Sequence, residues 1–151
     1  MPDNITNFAI TVDDGSRRVP IMNTGGEEIG AFTFHPTDIG IIERFNRMTE
    51  QFDAITEPLD AIDTDSGDLD LTDPKLVGAI TEAERRMNDA VNQLFGSDDA
   101  AAAFFGKMHP FSPVNGEFYC TQVLTQLGAF ISRQFDTETK AMSKKARKYL
   151  K

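Results

Sequence analysis

Two long apolar stripes limit what this chain can fold into. Ile41, Phe45, Met48, Phe52, Ile55, Leu59 and Ile62 follow one another at alternating steps of four and three, and so do Leu76, Ile80, Ala83, Met87, Ala90 and Leu94. A helix turns once every 3.6 residues, so each series lies along one helix face and must be covered. Two such stripes in succession predict an antiparallel helical hairpin within one chain rather than an extended coiled coil. Pro58 interrupts the first stripe, because it lacks an N–H and crowds the carbonyl of Ala54; a kink or break is expected near Glu57. Asp73-Pro74 supplies an N-cap and first helical position for the second, and Gly96 stops it.

The segments on either side read differently. In FAITV, Phe8, Ile10 and Val12 alternate with small or polar residues, as a half-buried strand requires. Asp14-Gly15 is a turn signal. VPIMN returns as a second strand, with Pro20 marking an edge. Thr24-Gly25-Gly26 turns again into IGAFTF, giving a three-stranded antiparallel meander that needs helices on its apolar side. His35-Pro36-Thr37-Asp38 ends the sheet, with Thr37 or Asp38 as N-cap of the next helix. Beyond Gly96, Ser97-Asp98-Asp99 caps a short Ala-rich helix ending near Gly106. A long last helix is expected from Asn115, with Cys120, Leu124, Leu127 and Ile131 on one stripe and Met142, Ala146 and Tyr149 continuing it. The expected fold is α+β in one domain, 1–151: a β-meander over 1–35, a helical body over 38–139 with an acidic loop at 60–73, and a basic tail at 140–151.

The net charge of −9 hides a division. Residues 1–139 carry 24 acidic and 9 basic side chains, whereas 140–151 carry six basic ones and no acid. An acidic body repels nucleic acid; the tail suits either an acidic partner or a solvated helix C-terminus. No apolar run is long enough to span a bilayer, and MPDNITNF lacks the features of a signal peptide, so a cytoplasmic protein is expected.

Five places invite a search for chemistry. Residues 60–73 hold six aspartates, yet no register puts acids on the ligand positions of an EF-hand loop; a solvated linker is the reading preferred to weak divalent binding. Cys120 and His109 would make a nucleophile and base only if folding joined them, and Cys120 sits on an apolar stripe where cysteine acts as a small hydrophobe. His35, at a strand end, reads as structural. NTGGEEIG lacks the spacing of a phosphate loop and carries two glutamates, so a turn is preferred. KAMSKKARKYLK has too thin an apolar face for a membrane-surface helix. No catalytic, cofactor-binding or metal residue is assigned. In FFGKMHPFSPVNGEFYC, Phe105 and Phe111 are expected to anchor the core of a knuckle between helices.

The stretches VPIMNTGGEEIGAFTFHPTD with the following ERFNRM, AAAFFGKMHPFSPVNGEFYC, and GAFISRQFDTETKAMSKKARKYLK are together similar to a family of small proteins. These are encoded among the tail genes of phages and prophages of Gram-positive bacteria and classed as tail assembly chaperone-like. The resemblance implies a non-enzymatic protein that binds the long helical tape-measure protein before the tail tube polymerises, in the host cytoplasm, as a possible homo-oligomer. It also implies that ribosomal slippage could extend the product, with Lys144-Lys145 as the candidate site; the codons there decide it. The alternative function is an acidic inhibitor that mimics nucleic-acid charge toward a host DNA-binding defence protein through Asp63, Asp65, Asp68 and Asp70. Asparagine replacements that left such binding intact would exclude it. An enzyme resting on Cys120 and His109 ranks third.

Overall fold

The computed structural model describes residues 8–62 and 70–142. Its sheet is a hairpin of β1 (Arg17–Met22) and β2 (Glu28–Phe34), antiparallel from Arg17↔Phe34 to Ile21↔Gly30, with an irregularity between Ile21 and Met22. The connecting turn is closed by Asn23, whose Oδ1 accepts the N–H groups of Gly25 and Glu27, both at 2.9 Å.

The expected third strand does not form: this sheet has two strands, and residues 8–12 join neither. The reason lies in Asp13 and Asp14, whose carboxylates accept the N–H groups of Gly15 and Ser16 in two overlapping turns. Asp14-Gly15 therefore closes no hairpin. Phe8, Ile10 and Val12 are left exposed.

Neither Thr37 nor Asp38 is the N-cap of α1 (Gly40–Glu50): that position falls to Ile39, which makes no side-chain cap bond, and Asp38 one residue earlier accepts the N–H of Gly40 at 3.1 Å. The first stripe then breaks twice. After Gln51 it resumes as α2 (Phe52–Thr56), and at Glu57 it tightens into a 3-10 turn over Glu57–Ala61 with Pro58 in its first turn. Proline explains the second break, at the place expected; nothing in the local sequence explains the first. The second stripe forms α3 (Pro74–Phe95), with Asp73 accepting the Lys75 N–H at 2.9 Å. Gly96 ends it at φ +61°, its N–H bonded to Gln93 and that of Ser97 to Asn92, a Schellman closure.

The two arms run antiparallel. Arg44 Nε donates to the Leu94 carbonyl at 2.8 Å and Arg86 Nη1 to the Ala54 carbonyl at 2.7 Å, so the start of one arm faces the end of the other. Both arginines satisfy carbonyls that a helix end or break leaves without an intrahelical partner.

Then follow α4 (Ala100–Phe105), a ribbon of β3 (Pro113–Val114) and β4 (Glu117–Phe118), and α5 (Tyr119–Ala141). Asn115-Gly116 does not begin the last helix, as expected from sequence, but turns this ribbon. Both residues have positive φ, +54° and +83°, which is what a tight two-residue hairpin turn needs. The helix starts at Tyr119, where the Ser112 and Pro110 carbonyls accept the N–H groups of Tyr119 and Cys120, each at 2.8 Å. The continuation of this stripe through Ala146 and Tyr149, and the rest of the tail over 143–151, lie outside the described residues.

The core runs between these layers. Phe34, Phe95 and Phe104 meet with ring centroids 4.9 to 6.4 Å apart, beneath β2. Phe111 lies between Phe52 and Phe118, at 6.1 and 5.0 Å. Phe105 and Phe111 are both buried.

Candidate interaction groove

Helices α1 and α5 do not close on each other along their length. At one point they approach: Gly128 of α5 lies so near the Phe45 ring that a Cβ there would stand 3.4 Å from its Cζ. Two clefts open on either side of that contact, and Phe45 and Thr49 line both. One, of about 400 Å³, reaches Ile41, Ile42, Ile131 and Phe135; the other, of about 290 Å³, reaches Met48, Phe52 and Leu124. Sharing Phe45 and Thr49, they follow one another from Ile41 to Phe52 as a groove pinched at that contact, roughly 17 Å from end to end at the helical rise per residue.

The groove's chemistry sets it apart from the rest of the surface. A quarter of the chain is charged, yet none of the fourteen residues lining the two clefts carries a charge. Its floor is phenylalanine, leucine, isoleucine and methionine; its rim is Asn46, Thr49, Thr121, Thr125 and Ser132. Such a surface excludes ions and favours apolar side chains, while hydroxyl and amide groups at the edge bond to whatever backbone or polar groups arrive with them. Ile39 and Ile42, both more than half exposed at the start of α1, extend the apolar surface outward.

The residues singled out for possible chemistry fall elsewhere. Cys120 is fully buried, and burial pushes its thiol up to about 11. The ring of His109 is spent on structure: Nδ1 accepts the Phe111 N–H at 3.0 Å, which leaves Nε2 to donate to the Ile80 carbonyl at 2.9 Å. A buried thiol that stays protonated and an imidazole with both nitrogens bonded to backbone groups supply neither the thiolate nor the free base that a nucleophilic pair needs. His35 Nε2 stands 2.9 Å from Asp14 Oδ2 and ties the N-terminal segment to the end of β2. In the glycine-rich turn, Asn23 already occupies the amides that an anion would need. Of the acidic loop, Asp63, Asp65 and Asp68 lie outside the described residues. Asp70 accepts from the Thr72 N–H and hydroxyl, and Asp73 caps α3. Among the described residues no cluster of metal-ligating side chains occurs, and no helix is long and apolar enough to cross a membrane.

The Asp14 anchor has a pH signature. The Ser16 N–H, and then the His35 side chain, hold its carboxyl down at about 2. A lowered carboxyl stabilises the fold above its ordinary value of 3.8 and loses that contribution as pH falls through about 2. The Ser16 amide resonance should therefore titrate with a midpoint near 2 in the native protein. A midpoint near the ordinary aspartate value would refute the anchor.

Neither Phe45, Gly128 and Phe135 as a group nor the neutral rim stood out in the sequence. The one usable sign was a glycine inside a helix opposite a phenylalanine of another stripe. Comparison with known protein families, with curated proteins and with solved structures gives no match.

Proposed function

We propose that this protein is a non-enzymatic assembly chaperone, and that the α1/α5 groove shields an apolar helical segment of its client until the client is assembled. The observation that carries the reading is the uncharged groove, open along three turns of helix on a protein otherwise rich in charge. Phe, Met, Ile and Leu side chains on its floor adapt to several sequences, as a holdase requires. The client we propose is the one that the resemblance in sequence implies, the tape-measure protein of a phage tail. The acidic body fits the same role, since net charge keeps a complex with an aggregation-prone partner in solution.

The test uses the full chain and fragments of the tape-measure protein that this reading expects to be encoded beside it. The protein should hold an aggregating fragment in solution at near-equimolar ratio, with light scattering as the measure. Thr125→Arg, at an exposed rim position, should weaken capture at least tenfold without unfolding the chain. Gly128→Leu should do the same by filling the waist of the groove beside Phe45. If every fragment aggregates as fast with the protein as without it, the proposal fails. Capture that both variants leave intact removes the groove from it.

A further inference from the structure

One apolar segment has no cover in its own chain. Residues 8–12 are exposed throughout, with Phe8, Ile10 and Val12 at 78%, 83% and 74%. The root of this arm is nevertheless fixed. Asp14 bonds the Ser16 N–H at 3.0 Å and meets His35 at 2.9 Å, and a Cβ on Gly15 would lie 3.2 Å from Thr37 Oγ1. A held root with a bare apolar arm is a presented segment.

We propose that residues 8–12 of one copy dock in the α1/α5 groove of a second copy, giving head-to-tail self-association that a client displaces. The two surfaces match in chemistry: FAITV has no charge, and neither has any residue lining the groove. They match in spacing. An extended segment sets alternate side chains about 7 Å apart, so Phe8, Ile10 and Val12 span roughly 14 Å of a groove roughly 17 Å long. They also match in polarity, because an extended arm brings unpaired backbone N–H and C=O groups, and Thr49, Thr125, Ser132 and Asn46 at the rim can bond to them. Residues 8–12 are exposed in the folded chain, so the arm does not occupy the groove of its own copy, and the groove of a second copy offers the same matching surface. A heterologous contact of this kind builds rings or open chains.

The inference rests on the groove being a docking surface, as above, but not on the identity of the client. The buried area belongs to the small, weak class of interfaces. The experiment is therefore sedimentation equilibrium of the full chain up to roughly millimolar concentration. The weight-average mass should rise above that of one chain, and Ile10→Asp should hold it at one chain. Ile10 is exposed, so this variant folds normally and should capture client at least as well as the parent. Thr125→Arg should also abolish association. A single-chain mass at every concentration, or association unaffected by Ile10→Asp, overturns the proposal. Association that depends on Ile10 but survives Thr125→Arg overturns the groove as its seat. Arm-dependent association without client capture would sink the chaperone reading and leave this one standing.

Discussion

Phe111→Ala should lower the stability of the folded protein by about 3–5 kcal/mol, the range for a buried phenylalanine truncated in a core that cannot collapse around the void. Phe111 is 6% exposed and lies between Phe52 of α2 and Phe118 of β4. Its ring is thus the point at which the broken first arm meets the ribbon that starts α5. Those neighbours are held by backbone bonds from Pro110 and Ser112 to Cys120 and Tyr119, which keep the ribbon from sinking into the cavity. The edge-on ring pairs add about 0.5–1.5 kcal/mol beyond area burial. Phe105→Ala should cost a similar amount, since that ring is 3% exposed and meets Tyr119 at 6.5 Å. In thermal unfolding either change should lower the midpoint by roughly 10 °C for a chain of this size. Val77→Ala, on an exposed position of α3, is the control and should fall within about 0.5 kcal/mol of the parent. If Phe111→Ala behaved like the control, the knuckle would not be part of the core.

What the sequence made legible follows from how far each signal reaches. The stripes from Ile41 to Ile62 and from Leu76 to Leu94 are local and periodic, so helix existence, the face buried and the stops at Pro58 and Gly96 could be read directly. Alternation in FAITV reports a strand-like segment but not a neighbour for it. Only the competing bonds of Asp13 and Asp14 decide that, and they take the chain out of the sheet. Asn115-Gly116 is a strong local turn, yet its strands are two residues each, too short to show a pattern. Cys120 was legible as a packed residue from its stripe, whereas the bond of His109 to the Ile80 carbonyl was not, because Ile80 is 29 residues away. The groove was hidden for another reason. Periodicity tells which face of α1 and of α5 is apolar, but not whether two apolar faces meet completely. Phe45 against Gly128 holds the helices apart on both sides of one contact, and no property of either helix alone contains that fact.

Gly30→Ala should be among the most damaging single changes in the protein, although it adds one methyl group. Gly30 pairs with Ile21 in the hairpin, and an ideal Cβ on it would lie 2.2 Å from the Ala103 carbonyl oxygen of α4. The obstacle is backbone, and no rotamer change can move it. The strand must lift from the helix or α4 must shift, and both are constrained. Phe32 and Phe34, on the same strand, are held against Phe95 and Phe104. The helix is tied at its start by the Asn92 side chain accepting the Ala101 N–H at 2.8 Å. At its end Gly106, at φ +58°, turns away close to the Ile29 carbonyl. Overpacking typically costs about 1–3 kcal/mol and more when neighbours cannot yield, so the expected loss lies at or above the upper end of that range. Denaturant unfolding measures it, and Gly30→Val should cost more than Gly30→Ala. Gly26→Ala separates the steric argument from the conformational one: it sits at φ +82° with open space around it, so its cost comes from backbone strain alone, about 1 kcal/mol. A Gly30→Ala protein as stable as the parent would mean that β2 and α4 are not in backbone contact. The hairpin would then have to sit farther out, uncovering Phe32 and Phe34, which now pack on Phe95 and Phe104.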